Sequence, residues 1–89
     1  MAIKLERIYE IKAQHPDAMV LFRLGDFYEV FGTDAEILAP ILGVALTRRR
    51  FADRSDAIMC GFPVHAADHW LAKLRAAGLN LHVSELTPC

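Results

Sequence analysis

An aromatic ring and a carboxylate lie two residues apart in the segment Arg23-Leu-Gly-Asp-Phe-Tyr-Glu-Val-Phe31, at Phe27 and Glu29. Side chains at that spacing share one face of an extended strand. An exposed aromatic can stack on a flat π-system while a neighbouring acid binds the edge of the same ring. Nucleobases are ligands of that kind, so the pair predicts a base-binding site. The alternative is that Phe27 is a core residue beneath a helix.

The residues that accompany this pair depend on whether one strand continues through the segment. An uninterrupted strand places a mostly apolar set on one face: Val20, Phe22, Leu24, Tyr28 and Val30. Phe27 and Glu29 then lie on the opposite face, beside Arg23 and Gly25 and beyond Leu21. Gly25 can also reset this alternation, because glycine often marks a bend in a strand.

Four of the seven arginines of the chain are close together, at Arg48, Arg49, Arg50 and Arg54. Residues 25–47 contain no lysine or arginine but four acids: Asp26, Glu29, Asp34 and Glu36. One interpretation of the arginine run is a solvated hairpin edge, where charge prevents pairing with another edge. The other is a short strip of phosphate contacts.

Three further patterns predict no additional site. His65 and His69 have metal-binding spacing on a helix but lack the intervening Glu of a metalloprotease motif. We expect Cys60 to be an ordinary strand residue and Trp70 a partly buried helix residue. A metal-dependent nuclease needs clustered carboxylates with a lysine, and the nearest Glu-x-Lys lies on the first predicted helix. We therefore expect no metal, no cofactor and no catalysis.

The composition indicates a small globular domain that spans residues 1–89. The chain is 54% hydrophobic and 24% charged, with a net charge of −1, so no global attraction toward nucleic acid is expected. Its longest apolar stretch, residues 37–46, has ten residues, whereas a membrane helix needs about 20. With two cysteines and no signal-peptide pattern at its amino end, we expect a cytoplasmic protein without a membrane partner.

Hydrophobic periodicity predicts the elements that must position these residues. Helices are predicted over residues 3–14, from Thr33 or Asp34 to Gly43, and from Pro63 to Gly78. Strands are predicted over residues 18–24, 44–48, 57–62 and 79–83. Pro40 should kink or shorten the second helix. The order αβαββαβ predicts a single α/β (α+β) domain, a mixed β-sheet flanked by about three helices.

Five ordered segments resemble the N-terminal mismatch-recognition domain of the MutS family of DNA mismatch-repair proteins. They begin with Ile11-Lys-Ala-Gln-His-Pro-Asp and Leu21-Phe-Arg-Leu-Gly-Asp-Phe-Tyr-Glu-Val-Phe. Leu42-Gly-Val-Ala-Leu-Thr-Arg, Met59-Cys-Gly-Phe-Pro-Val-His-Ala and Leu71-Ala-Lys-Leu follow in the same order. The resemblance extends over residues 8–85.

The resemblance implies a role for each residue of the segment that contains Phe27. Phe27 is expected to wedge into a duplex from the minor groove and stack on a mispaired or unpaired base, and Glu29 to hydrogen-bond that base. Tyr28 should point back into the domain. The arginines, Arg48, Arg49, Arg50 and Arg54, would contact the DNA backbone. The implied partner is double-stranded DNA with a mismatch, in the cytoplasm and associated with the nucleoid.

The chain also departs from the family pattern. Val64 stands where the family commonly has Tyr, and Ser84-Glu85-Leu86 replaces a Cys-Glu-Gln ending. It contains no P-loop, so the ATPase and clamp of the full-length family would belong to other domains. An excised fragment and a divergent stand-alone homologue both fit this sequence. The alternative function is a scaffold or protein-interaction domain that retains the fold but not mismatch binding.

Overall fold

The structure is a computed structural model that describes residues 3–85, in which three helices and five strands form one α+β domain. Met1, Ala2, Leu86 and Cys89 are among the residues outside the described part of the chain. The elements are α1 (Leu5–Ala13), β1 (Met19–Leu24), β2 (Phe27–Phe31), α2 (Thr33–Leu42), β3 (Thr47–Arg50), β4 (Asp56–Pro63), α3 (Ala67–Ala76) and β5 (Leu81–Glu85). The predicted fold class is confirmed.

The five strands form one mixed sheet in the order β3-β4-β2-β1-β5. Neighbouring strands are antiparallel except β1 and β5, which are parallel. The strand β2, which contains Phe27 and Glu29, and its neighbour β1 are therefore each paired with another strand on both edges. None of the helices within residues 3–85 reaches the length and apolar character that crossing a bilayer requires.

The strand predicted over residues 18–24 does not continue through Gly25 but forms a hairpin with a second strand, so the element order is αββαββαβ instead of αβαββαβ. Gly25 and Asp26 form its two-residue turn, because Leu24 pairs directly with Phe27. Gly25 has φ +61°, the conformation that a type II′ turn requires at its first central residue. The predicted order missed one strand because a strongly apolar run on both sides of the glycine conceals a two-residue turn.

The hairpin also overturns the predicted faces. Residues directly opposite in an antiparallel pair lie on the same face, and Glu29 is opposite Phe22. Phe27 and Glu29 therefore share a face with Phe22 and Leu24, and the predicted separation of these residues is wrong. The reason is that the chain reverses direction at Gly25 and Asp26, so the alternation of side chains does not continue from β1 into β2. This is the alternative that Gly25 left open.

The sheet separates two apolar cores. On the α1 side the buried residues are Ile8, Ile11, Val20, Phe22, Leu24, Phe31, Phe51 and Ala57. On the α2 and α3 side they are Leu21, Val30, Ala35, Leu38, Ala39, Leu42, Cys60, Phe62 and Leu74. Because β1 and β2 contribute to both cores, the strand that contains Phe27 and Glu29 is packed from both sides.

Several predicted boundaries shift by a few residues. The second helix continues through Pro40 to Leu42 and has Gly32 at its N-cap instead of Thr33 or Asp34. Pro63 ends β4, and a 3-10 turn over Val64–Ala66 precedes α3. The strands β3 and β5 begin later than predicted, at Thr47 and Leu81. These shifts leave one apolar stripe of α2 buried, formed by Ala35, Leu38, Ala39 and Leu42.

Candidate nucleic-acid interface

Phe27 is the first residue of β2, immediately after the turn, and has a relative exposure of 49%. It belongs to neither apolar core, so the alternative of a buried core phenylalanine is excluded. A shallow depression of about 420 Å³ lies beside it, lined by Asp26, Phe27, Pro63, Val64 and His65. A flat ring could therefore reach Phe27 from solvent without any displacement of the fold.

Tyr28 packs on the face of β2 opposite to Phe27. Its side chain packs against the core on the α2 and α3 side, with its ring 5.6 Å from that of Phe62. Phe62 in turn stacks on the partly buried Trp70 at 5.9 Å. Tyr28 thus points into the domain as the resemblance implies, and the backbone of Phe27 is fixed by an aromatic row on the opposite face.

Glu29 is buried, with a relative exposure of 5%. Its Oε2 accepts a hydrogen bond from an Nη atom of Arg49 at 3.1 Å, and this contact is also an ion pair. Its Oε1 is buried without a hydrogen-bond partner among the described residues. Burial raises the pKa of the Glu29 carboxyl group above its ordinary value, and the Arg49 guanidinium offsets part of that rise.

Gly61 provides the space for the Glu29 side chain. It is the residue opposite Glu29 on β4. A Cβ atom at Gly61 would lie 3.3 Å from Cγ of Glu29 and would clash with the Tyr28 carbonyl oxygen. Sequence reasoning did not assign Gly61 a role, although a glycine inside a strand is a known signal for close approach of another group.

The four arginines do not form one strip. Arg49 lies opposite Ala57 on the face of Glu29, so Arg48 and Arg50 face the other way. Arg48 forms an exposed ion pair with Asp56 at 2.8 Å. The strand β3 is at the edge of the sheet, which agrees with the solvated-edge interpretation, while phosphate contact stays a prediction.

The arginines also lie at a distance from Phe27. Phe27 pairs with Pro63 at one end of β4, and Arg50 pairs with Asp56 at the other. Along a strand this separation is about 23 Å. Arg54 lies in the loop beyond, with φ +72°. Of the four, Arg49 is the one that reaches the Phe27–Glu29 face through a side-chain contact in the described residues.

The competing candidates show no assembled site. His65 and His69 are exposed, on the 3-10 turn and on α3. Cys60 is buried, with its Sγ 3.7 Å from the Ala35 carbonyl oxygen, and burial raises the pKa of its thiol to about 11. A thiol with so high a pKa is a poor nucleophile at neutral pH. Within residues 3–85, no group of three or more His, Cys, Asp or Glu side chains is placed to hold a metal ion.

The burial of Glu29 predicts a specific pH dependence of stability. Because its pKa in the folded chain is raised above the unfolded value, its contribution to stability is fully present below the unfolded pKa and is lost as pH rises through the folded pKa. We expect the free energy of unfolding of the wild type, relative to Glu29→Gln, to fall as pH rises above the ordinary Glu pKa of 4.5. Urea unfolding followed by Trp70 fluorescence measures this difference. A difference that stays constant with pH would contradict it.

Comparisons with known proteins cover nearly the whole chain. A family model described as MutS domain I matches residues 5–87. The DNA mismatch repair protein MutS of Salinibacter ruber is 46% identical over 81 residues, which are 91% of this chain and 9% of that protein. The proteins of the same name from Desulfitobacterium hafniense and Bartonella tribocorum are each 48% identical, over 91% and 93% of this chain. The chain therefore spans about 9% of the length of these curated relatives.

Proposed function

Because the chain belongs to the MutS family, through its domain I, we propose that it is a DNA-binding module of mismatch repair that senses mispaired or unpaired bases. The observation that carries this proposal is a half-exposed Phe27 at the end of a rigid hairpin, two residues from a buried carboxylate on the same face. The module performs recognition and no catalysis. Any clamp or ATPase function would come from other domains, and the place of action is DNA in the nucleoid.

Phe27 discriminates by the cost of deforming the duplex. Wedging a side chain between base steps costs a few kcal/mol of unstacking, and less where the pair is already weakened. Stacking of the exposed base on an aromatic returns about 1–3 kcal/mol. Since the return is similar for every base, the difference between mismatched and matched DNA arises from the deformation cost, which is indirect readout.

Glu29 contributes selectivity instead of affinity. Phosphates repel a carboxylate, so an acid close to DNA weakens general binding. Glu29 shares the face of Phe27, so its carboxyl group, once it leaves its buried position, can reach the edge of the base that stacks on the ring. Burial raises the pKa of Glu29, so its carboxyl group is protonated more readily than an exposed one, and the protonated form can donate a hydrogen bond to a base acceptor.

A fluorescence titration at low salt tests the proposed function. A labelled duplex with one unpaired thymine or one G·T pair is compared with its matched twin. We expect tighter binding to the defective duplex, at modest affinity, because few arginines are available for phosphate contacts. Equal binding to both duplexes would overturn the proposal and favour the scaffold alternative.

Arg50→Ala tests an expected phosphate contact at the end of β3, where Arg50 lies opposite Asp56 of β4. Arg50 is exposed, and within residues 3–85 it forms no ion pair. We expect binding to matched and to mismatched DNA to weaken by the same factor. The plot of log association constant against log salt concentration should become shallower by about 1. The measurement is a salt series on a duplex that extends at least about seven base pairs from the defect. Arg75→Ala, also exposed but on α3, is the control. A change in mismatch preference in the Arg50 variant would contradict a pure backbone contact.

A further inference from the structure

We propose that Arg49 is a positioning residue for Glu29: it holds the Glu29 carboxylate in a withdrawn position in the free protein, and a backbone phosphate that takes over the Arg49 guanidinium releases Glu29 toward the base. This inference rests on the proposed function and assigns to one residue the link between backbone contact and base contact. It differs from a simple phosphate contact because Arg49 acts on the base through Glu29.

The two partners differ in how far an anion from outside can reach them. The Arg49 side chain is 38% exposed, whereas the Glu29 side chain is 7% exposed. An approaching phosphate therefore meets the guanidinium before any group of the ligand can meet the carboxylate. Guanidinium groups bind phosphate and carboxylate oxygens with the same planar set of N–H donors, so the two anions compete for Arg49.

The withdrawn position of Glu29 has little else to stabilise it. Its Oε1 is buried without a partner in the described part of the chain, and a buried unsatisfied acceptor is unfavourable. The residues directly opposite it on β1 and β4, Phe22 and Gly61, are uncharged, and α1 contributes apolar Ile8 and Ile11 to the core on that face. Within the described residues Arg49 is the one cation paired with Glu29. Without Arg49, the negative charge of the Glu29 carboxylate is therefore buried and uncompensated, which is unfavourable.

Proton uptake follows from release. When a phosphate occupies Arg49, Glu29 loses the positive charge that offsets its burial and gains a negative charge nearby. Both changes favour the protonated carboxyl group, which takes its proton from solvent. The released Glu29 then carries an O–H that can donate to a base acceptor, where an ionised carboxylate would be repelled by the DNA.

A double-mutant cycle on a matched duplex isolates this link from mismatch recognition. If Arg49 must leave Glu29 to bind phosphate, Glu29→Gln tightens binding to matched DNA, and it does so mainly when Arg49 is present. We expect Glu29→Gln to tighten matched binding about tenfold in the wild-type background and about twofold or less in the R49Q background. Asp56→Asn is the matched control, because its partner Arg48 is the neighbouring residue of β3 in a more exposed pair. We expect an effect of about twofold or less there.

The titration of Glu29, followed by carboxyl ¹³C NMR, gives a readout that a purely structural role would not change. We expect R49Q to raise the pKa of Glu29 in the free protein, R49K to restore most of the wild-type value, and R48Q to leave it unchanged. Addition of a matched duplex to the wild type should raise the pKa in the same direction as R49Q does. If R49Q unfolds the chain, the shift that the duplex causes in the wild type still tests the proposal.

The outcomes separate this proposal from the proposed function. An equal effect of Glu29→Gln in both Arg49 backgrounds, or a pKa of Glu29 that R49Q and DNA leave unchanged, overturns the role of Arg49 alone. If the wild type still prefers the mismatched duplex in that case, the proposed function stands. Absence of any DNA binding at low salt overturns both.

Discussion

We expect Phe27→Ala to bind a duplex with an unpaired thymine no more tightly than the matched duplex. The variant cannot stack on the exposed base, so it loses about 1–3 kcal/mol, or roughly 5- to 150-fold in affinity for the defective duplex. Binding to matched DNA should change by about threefold or less, because the arginine contacts remain. The measurement is the ratio of the two dissociation constants at low salt.

Tyr9→Ala is a suitable control for Phe27→Ala. Tyr9 is 48% exposed, almost the same as Phe27 at 49%, but it lies on α1. Loss of an exposed aromatic there should leave the mismatch preference unchanged. A Phe27→Ala variant that is folded and still prefers the mismatch would show that another residue forms the wedge.

We expect Gly61→Ala to destabilise the fold by about 3 kcal/mol or more. Its new Cβ would clash with the Tyr28 carbonyl oxygen and press on Cγ of Glu29 at 3.3 Å, and backbone in a central strand can move little. For a domain of this size the melting temperature should fall by about 12 °C or more. This is a large share of the total stability of about 4–13 kcal/mol expected for 89 residues. Thermal unfolding measures the change.

Gly25→Ala separates backbone strain from steric clash in this comparison. Gly25 has φ +61°, and a Cβ there would have no heavy atom within 4 Å. The cost should be limited to the strain of a left-handed residue, about 1–2 kcal/mol. If Gly61→Ala proved as stable as Gly25→Ala, the close packing of β2 against β4 at this point would be refuted.

The helices and the separate strands were predictable because their signals are local. The apolar stripe of α2 repeats with helical spacing and ends at Gly43, which adopts the left-handed conformation typical of a helix C-terminus. The hairpin of β1 and β2 was missed although Gly25-Asp26 is a two-residue turn pair. Apolar residues continue on both sides of this turn. One long strand and two strands joined by a tight turn therefore have the same sequence pattern.

The candidate site was predictable only in its local part. The spacing of Phe27 and Glu29 places them on one face whichever way the strand is paired. The pair of Glu29 with Arg49 joins residues 20 positions apart and depends on β4 lying between β2 and β3. The order of strands in a sheet cannot be deduced from the spacing of residues along the chain. The four arginines are therefore one group in the sequence, whereas the structure separates Arg49 from the others.

The tight turn at Gly25 and Asp26 has an entropic consequence for Phe27. A flexible loop that presents an aromatic must be ordered when it binds, at about 1–2 kcal/mol for each residue fixed. Phe27 instead follows the turn directly and is paired on both sides, with Leu24 and with Pro63. The proposed insertion of Phe27 would therefore restrict little more than the two torsions of its own side chain. The cost of ordering this residue is met when the domain folds, so nearly all of the stacking energy remains available to offset the cost of deforming the duplex.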